Sequence, residues 1–226
     1  MRRAARIVSV ALITAGLVIL ADVAATLIWK EPLSAVYAQV RQSQAAGELD
    51  AVSDEFLADP DVAGLASADA TVAQRARRLA DLFERRLAGG EPIGRIRIPA
   101  IDADYVVIQG TEEADLELGP GHYPDTAIPG QGRTVAIAGH RTTYGAPFNR
   151  IDRVDVGDPI ALEMPYGRFT YEVTSTRIVD PADTGIVRDI GRERLVLTSC
   201  HPLYSAAQRY AVFADLKRID LAPPRA

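Results

Sequence analysis

From Gly89-Gly90 onward the chain is cut into short alternating segments by closely spaced turn residues, and that texture admits few folds. Ile96 and Ile98 alternate with Arg, Val106-Val107-Ile108 stops at Gly110, and Val135-Ala136-Ile137-Ala138 runs into Gly139-His140. Phe169, Tyr171 and Val173 alternate with Arg168, Thr170, Glu172 and Thr174, the pattern of a strand with one buried face. Leu195-Val196-Leu197 leads into Cys200, and Tyr210 to Leu216 forms a last strand. Turns are marked by Pro120-Gly121, Pro129-Gly130, Gly157-Asp158 and Tyr166-Gly167. Seven or eight strands over about 130 residues predict a mainly all-β domain, a closed or nearly closed barrel over residues 91–220 with a short tail at 221–226. No phosphate loop, dinucleotide fingerprint or internal repeat interrupts it.

The chain of 226 residues has one cysteine, so no internal disulfide staples the barrel and no zinc site is built on cysteine pairs. Thirty acidic against 25 basic residues leave −5, which argues against a nucleic-acid partner bound through a basic surface. The charge is unevenly spread: residues 1–30 carry +3 and the rest −8.

That asymmetry accompanies an apolar run from Ile7 to Trp29, broken only by Asp22 and a few small or hydroxyl residues. As a helix it reaches about 34 Å, enough to cross a hydrocarbon core of roughly 30 Å. Arg2, Arg3 and Arg6 before it predict a cytoplasmic N-terminus, a single membrane pass and the rest of the chain outside the cell. A cleaved signal peptide ending near Val23-Ala24-Ala25 is the alternative, disfavoured because the apolar run resumes through Leu27-Ile28-Trp29. Residues 31–90 read as a helical tether. Leu79, Phe83 and Leu87 predict a helix over Gln74–Ala88 stopped by Gly89-Gly90. Val36, Val40, Leu49, Val52 and Phe56 suggest one or two weaker helices, and residues 59–71 read as loop. The tether is expected to act as a spacer, so that a fragment starting near Gly90 folds alone.

Chemistry has few places to sit. His140 and Cys200 each end a strand, and two strand ends can converge on one barrel rim. A thiol with a pKa near 8.5 is mostly protonated at neutral pH. A nearby imidazole can take its proton and later protonate a leaving amine. Arg209, opening the last strand, can reach back beside Cys200 as a charged donor for an oxyanion. No acidic partner for His140 stands out. A zinc set of His122, His140, Cys200 and His201 matches no usual spacing. Glu112, Glu113, Asp115 and Glu117 lack the spacing of a calcium loop and read as a solvated loop. No metal or cofactor is called for.

In order along the chain stand Gly-Pro-Gly-His-Tyr-Pro (119–124), Pro-Gly-Gln-Gly (129–132), Ala-Gly-His-Arg-Thr (138–142), Gly-Ala-Pro-Phe (145–148), Gly157-Asp158, Leu-Thr-Ser-Cys-His-Pro (197–202) and Arg209. Over residues 93–216 this set resembles a sortase, most like the class E group of actinobacteria. Val196 and Ser199 stand where the family's Thr-Leu-x-Thr-Cys pattern has two threonines. The resemblance implies an eight-stranded sortase-type barrel with short helices. It makes Cys200 the nucleophile, His140 the general acid/base and Arg209 the oxyanion stabiliser. It implies cleavage of an LPxTG- or LAxTG-like sorting signal between Thr and Gly, through a thioacyl enzyme resolved by an amine of a peptidoglycan precursor. Tyr123, Thr142 and Ser199, flanking the motifs, are candidates for the peptide groove.

Two rival readings keep the same residues. An exported cysteine endopeptidase would release only acid where a transpeptidase forms an amine adduct. A non-catalytic anchored binding module would tolerate Cys200→Ala.

Overall fold

The alternation of Phe169, Tyr171 and Val173 with Arg168, Glu172 and Thr174 becomes a strand with its apolar members buried in the computed structural model, which describes residues 2–29, 32–67 and 69–223. Among the described residues eight strands close into a barrel. They are β1 (Pro92–Ile98), β2 (Ala103–Gln109), β3 (Gly121–His122), β4 (Thr134–Ala138), β5 (Pro159–Met164), β6 (Gly167–Val179), β7 (Arg194–His201) and β8 (Gln208–Leu221). The order around the barrel is β1-β2-β3-β4-β7-β8-β6-β5. Pairs β2–β3 and β4–β7 are parallel; the others are antiparallel. The last strand is longer than its apolar core suggests, because residues 209–221 pair along the full length of β6. Of the expected tail, residues 224–226 lie outside the described residues.

Ile96, Ile98, Val107, Ile137, Leu162, Phe169, Leu197 and Val212 belong to one core cluster. On the outside of β7, Val196 joins Ala136, Ala211 and Phe213 under Ile186 and Val187, which the β6–β7 connection supplies. Burial on both faces is why Leu195-Val196-Leu197 is an unbroken apolar run rather than an alternating one.

Five helices are described: α1 (Arg2–Trp29), α2 (Pro32–Leu57), α3 (Pro60–Ser67), α4 (Val72–Glu84) and α5 (Glu113–Leu118). The membrane span expected over Ile7–Trp29 falls within α1, but the side chains of 22–29 lie outside the described residues. Among the described residues no helix is long and apolar enough to cross a membrane, so the structure lends the span no support. Where one or two weak helices were expected, α2 is a single helix. It turns Ala38, Ala45, Leu49 and Phe56 inward and leaves Val36 and Val40 exposed.

Residues 59–71 are not a loop throughout. Asp59-Pro60 starts α3: the Asp59 carboxylate accepts the Asp61 N–H at 2.7 Å, and Pro60 loses nothing at a first turn whose N–H groups are unpaired. Val62 is thereby buried in the core. Thr71 caps α4 by a reciprocal box with Gln74, and Ala76, Leu79, Ala80 and Phe83 line its inner face. This helix ends at Glu84, with Arg85 as its C-cap, short of the expected Ala88. Arg86 turns back to pair with Asp59 and covers the Phe56 ring, its Cζ lying 5.2 Å from the ring centroid. The acidic segment after β2 is likewise a helix, α5, with Glu112 and Asp115 forming its capping box.

These helices share the barrel's core. Phe83 packs edge-on against Phe56 at 5.1 Å and against Tyr166 at 5.7 Å. The Pro-Gly-Gln-Gly turn fastens the contact. Gln131 Nε2 donates to Asp81 and Glu84 of α4 at 3.0 and 2.7 Å. Tyr166 OH donates to Pro129 O at 2.7 Å, and the half-buried Glu193 carboxylate accepts the N–H groups of Gly130 and Gly132 and the Tyr171 hydroxyl. Burial raises the Glu193 pKa above its ordinary value, and the three donors only partly offset that.

Candidate active site

Cys200 is the penultimate residue of β7, half-buried and unpaired. In the antiparallel β7–β8 ladder it lies opposite Arg209, and directly opposite residues project to the same face. The parallel β4–β7 ladder ends with Ala138 beside Thr198, and the Gly139 N–H donates onward to Thr198 O at 3.0 Å. One more residue brings His140 level with Cys200. Three side chains from three chain segments thus line one cleft of about 350 Å3, with Tyr123, Thr111 and Leu116 as further walls.

The turn carrying His140 is held by packing. An added Cβ on Gly139 would stand 2.4 Å from the Phe148 ring, so a side-chain-free residue is required where the buried Phe148 crosses the backbone. The Phe148 N–H donates to His140 O at 3.1 Å and closes the loop. Within it Tyr144, Gly145 and Ala146 all have left-handed φ, at 49°, 75° and 46°. Gly145 answers a second demand as well, since a Cβ there would meet Ala38 of α2 at 2.9 Å. Tyr144 sets its ring 5.2 Å from that of His140.

His140 Nε2 is buried without a hydrogen-bond partner. Desolvation lowers its pKa below that of a free imidazole, and the carboxylates of Glu117 and Glu113 pull in the opposite direction. The resting ring is therefore neutral at neutral pH and able to accept a proton. Arg209 spends Nη1 on the carbonyls of Ala206 and Gln208 at 3.0 and 3.1 Å. Its remaining N–H donors are not committed by those bonds. The carboxylates that the sequence did not single out as partners of His140 come from α5, across the cleft.

Of the groove candidates, Tyr123 and Ser199 lie in the cleft and Thr142 does not. Tyr123 OH meets Thr198 Oγ1 at 2.9 Å. Ser199 Oγ is buried and donates to Gly139 O at 2.7 Å, so it fastens β7 to the His140 turn. Thr142 lines a separate cavity of about 480 Å3 with Tyr105 and Arg150. His122 is structural, buried with ring nitrogens 2.9 Å from Gln109 Oε1 and from Ala127 O. Sequence reading missed Thr111, Leu116 and Arg141. The last stands beside His140 in the motif and is 4% exposed, with an ion pair of 2.7 Å to Asp152. Its position invited notice, but charge adjacent to a histidine reads as surface until the fold buries it.

Comparison with known proteins agrees with this architecture. A model of the sortase domain matches residues 96–217. Sortase D of Bacillus subtilis is 38% identical over 128 residues, 55% of this chain and 63% of its own length. The structure of sortase E from Streptomyces avermitilis is similar at 31% identity and a TM-score of 0.55, covering 60% of this chain and 93% of that one. A sortase D5 transpeptidase of Clostridium perfringens shares the fold over 79% of this chain and 99% of its own, with a TM-score of 0.62 at 23% identity. The chain spans less than two thirds of the length of the curated relatives it matches.

Proposed function

This chain belongs to the sortase family, and from that premise we propose that it is a cysteine transpeptidase acting on sorting signals of exported proteins. The observation that carries the reading is the shared cleft, with Cys200 opposite Arg209 and the unpartnered Nε2 of His140 entering from the β4 side.

In the proposed cycle the neutral His140 ring takes the Cys200 proton as sulfur attacks the Thr carbonyl of an LPxTG-like or LAxTG-like signal. The uncommitted donors of Arg209 hold the oxyanion. Collapse breaks the Thr–Gly bond, His140 returns its proton to the glycine amine, and a thioester remains on Cys200. An amine of a peptidoglycan precursor then attacks the thioester, passes a proton to His140 and releases the thiolate. The thioester keeps the acyl group activated, so one bond is exchanged for another without net hydrolysis. Tyr123 lines the cleft where the peptide would lie. The preference for LAxTG and the class E placement rest on the Thr-Ser-Cys-His-Pro form of residues 198–202.

The proposal includes a cell-membrane location, with Ile7–Trp29 embedded, Arg2, Arg3 and Arg6 on the cytoplasmic side and the barrel outside. Ile7, Leu12, Leu17 and Leu20 of α1 are exposed apolar side chains in need of such a cover. Incubating the full chain with LAxTG and LPxTG peptides plus triglycine tests the function. A triglycine adduct and a trapped Cys200 thioacyl species are expected. Free acid alone would make the protein an endopeptidase, and neither product would reject catalysis at Cys200.

A further inference from the structure

One buried guanidinium is tied to both catalytic candidates, to His140 through the chain and to Cys200 by a hydrogen bond. Arg141 follows His140 in the chain, and its Nη1 donates to the carbonyl oxygen of Cys200 at 3.3 Å. The same nitrogen donates to His201 Nδ1 at 3.0 Å. A guanidinium has donors only, so Nδ1 is the acceptor and the His201 proton sits on Nε2. Nη2 pairs with Asp152 at 2.7 Å, and Nε reaches Asn149 O at 3.4 Å. Asn149 Nδ2 in turn donates to Arg141 O at 2.7 Å, fixing the backbone just beyond His140. The guanidinium also lies 6.0 Å from the ring centroid of Tyr210, which sits opposite Ser199 in the β7–β8 ladder.

We infer that Arg141 is a positioning residue, a buried fork that locks the loop bearing His140 to the strand end bearing Cys200 and so sets the spacing of thiol and imidazole. A fold does not bury a guanidinium cheaply, and here its donors reach four chain positions, Cys200 and His201 on β7 and Asn149 and Asp152 beyond the His140 loop. The β4–β7 ladder stops at Ala138–Thr198 and cannot itself fix His140, two residues further on. Beyond it the attachments are Gly139 N–H to Thr198 O, Ser199 Oγ to Gly139 O, and Arg141. Lysine would carry the charge but not the planar fork.

This inference rests on the roles proposed for Cys200 and His140, and its test includes a reading that needs no sorting signal. The full chain, its Arg141→Lys variant and its Asp152→Asn variant are compared in three measurements. These are melting temperature, kcat and KM on an LAxTG reporter with triglycine, and the rate of Cys200 alkylation by iodoacetamide at one fixed pH. In folded Arg141→Lys, kcat is expected to fall about ten- to a hundredfold with KM within about threefold, the signature of a misplaced reacting pair. The alkylation rate is expected to shift too, and Asp152→Asn should move both readings in the same direction by less. Wild-type kcat and alkylation in folded Arg141→Lys would overturn the inference. If Arg141→Lys fails to fold, Asp152→Asn decides in the same way: shifted readings support the inference and unchanged ones overturn it. If the unaltered chain does not turn over the peptide, the proposed function fails, and the alkylation comparison alone decides the role of Arg141.

Discussion

At the scale of single residues, the cleft sets Cys200, His140 and Arg209 side by side, with the imidazole desolvated. Cys200→Ala and His140→Ala are each expected to abolish the thioacyl species in a peptide-trapping experiment. Arg209→Ala is expected to lower kcat at least about tenfold, since one oxyanion donor contributes roughly 2.7–4 kcal/mol. The depressed pKa of His140 places the acid limb of kcat/KM below the ordinary imidazole range. Glu113 and Glu117 favour the protonated ring, so neutralising both to Gln removes an upward pull. The limb should then move to still lower pH, as a pH–rate profile would show; a move to higher pH would contradict the electrostatic account.

At the scale of elements, the β4 end and the loop after it form a closely fitted joint. Gly139→Ala puts a methyl into the Phe148 ring, which is wholly buried and cannot retreat to solvent. The expected result is a large loss of kcat with a melting temperature lowered by several degrees, about 1–3 kcal/mol of overpacking. Adding Phe148→Leu should restore part of both, because the two changes share one contact and must couple. Additive losses in the double variant would mean that Phe148 is not what constrains Gly139. These elements were legible only in part. The strand alternation at 167–174 announced β6, whereas α3 was hidden in a run rich in Ala, Gly, Ser and Asp whose helix-starting Asp59-Pro60 also reads as a turn.

At the scale of the molecule, the helical segment before Gly90 belongs to the barrel's own core. Phe56, Leu79 and Phe83 are at most 2% exposed, and each buried side chain of that size contributes about 1.5–3 kcal/mol. Removing all three costs a large part of a total stability of roughly 5–15 kcal/mol. A fragment beginning at Gly90 is therefore expected to melt far lower or aggregate, and one beginning near Pro32 to stay folded; equal melting temperatures would restore the spacer view. Glu193 adds a pH dependence. Its folded pKa lies above the unfolded value, so its stabilising contribution is full below about pH 4.5. That contribution is lost as the pH rises through the raised pKa. The Glu193→Gln variant should lack this fall, seen as a difference in urea midpoints between about pH 4 and 7.

Local pattern alone predicted the barrel class and brought out Cys200, His140 and Arg209 as candidates, in that fold, at the ends of strands. Alternation and turn dipeptides are short-range signals, and Cys200, His140 and Arg209 stand at strand ends that those signals mark. Only the tertiary structure decided that Thr142 faces another cavity, that Ser199 is a fastener, and that α2 and α4 share the core. It alone gave His140 its facing carboxylates from α5 and turned Arg141 from a charged neighbour into a buried fork. Each of these depends on which distant segment covers a side chain, and no window of sequence contains that information: β4 finds β7 across about 60 residues of intervening chain, and the cleft exists only where they meet.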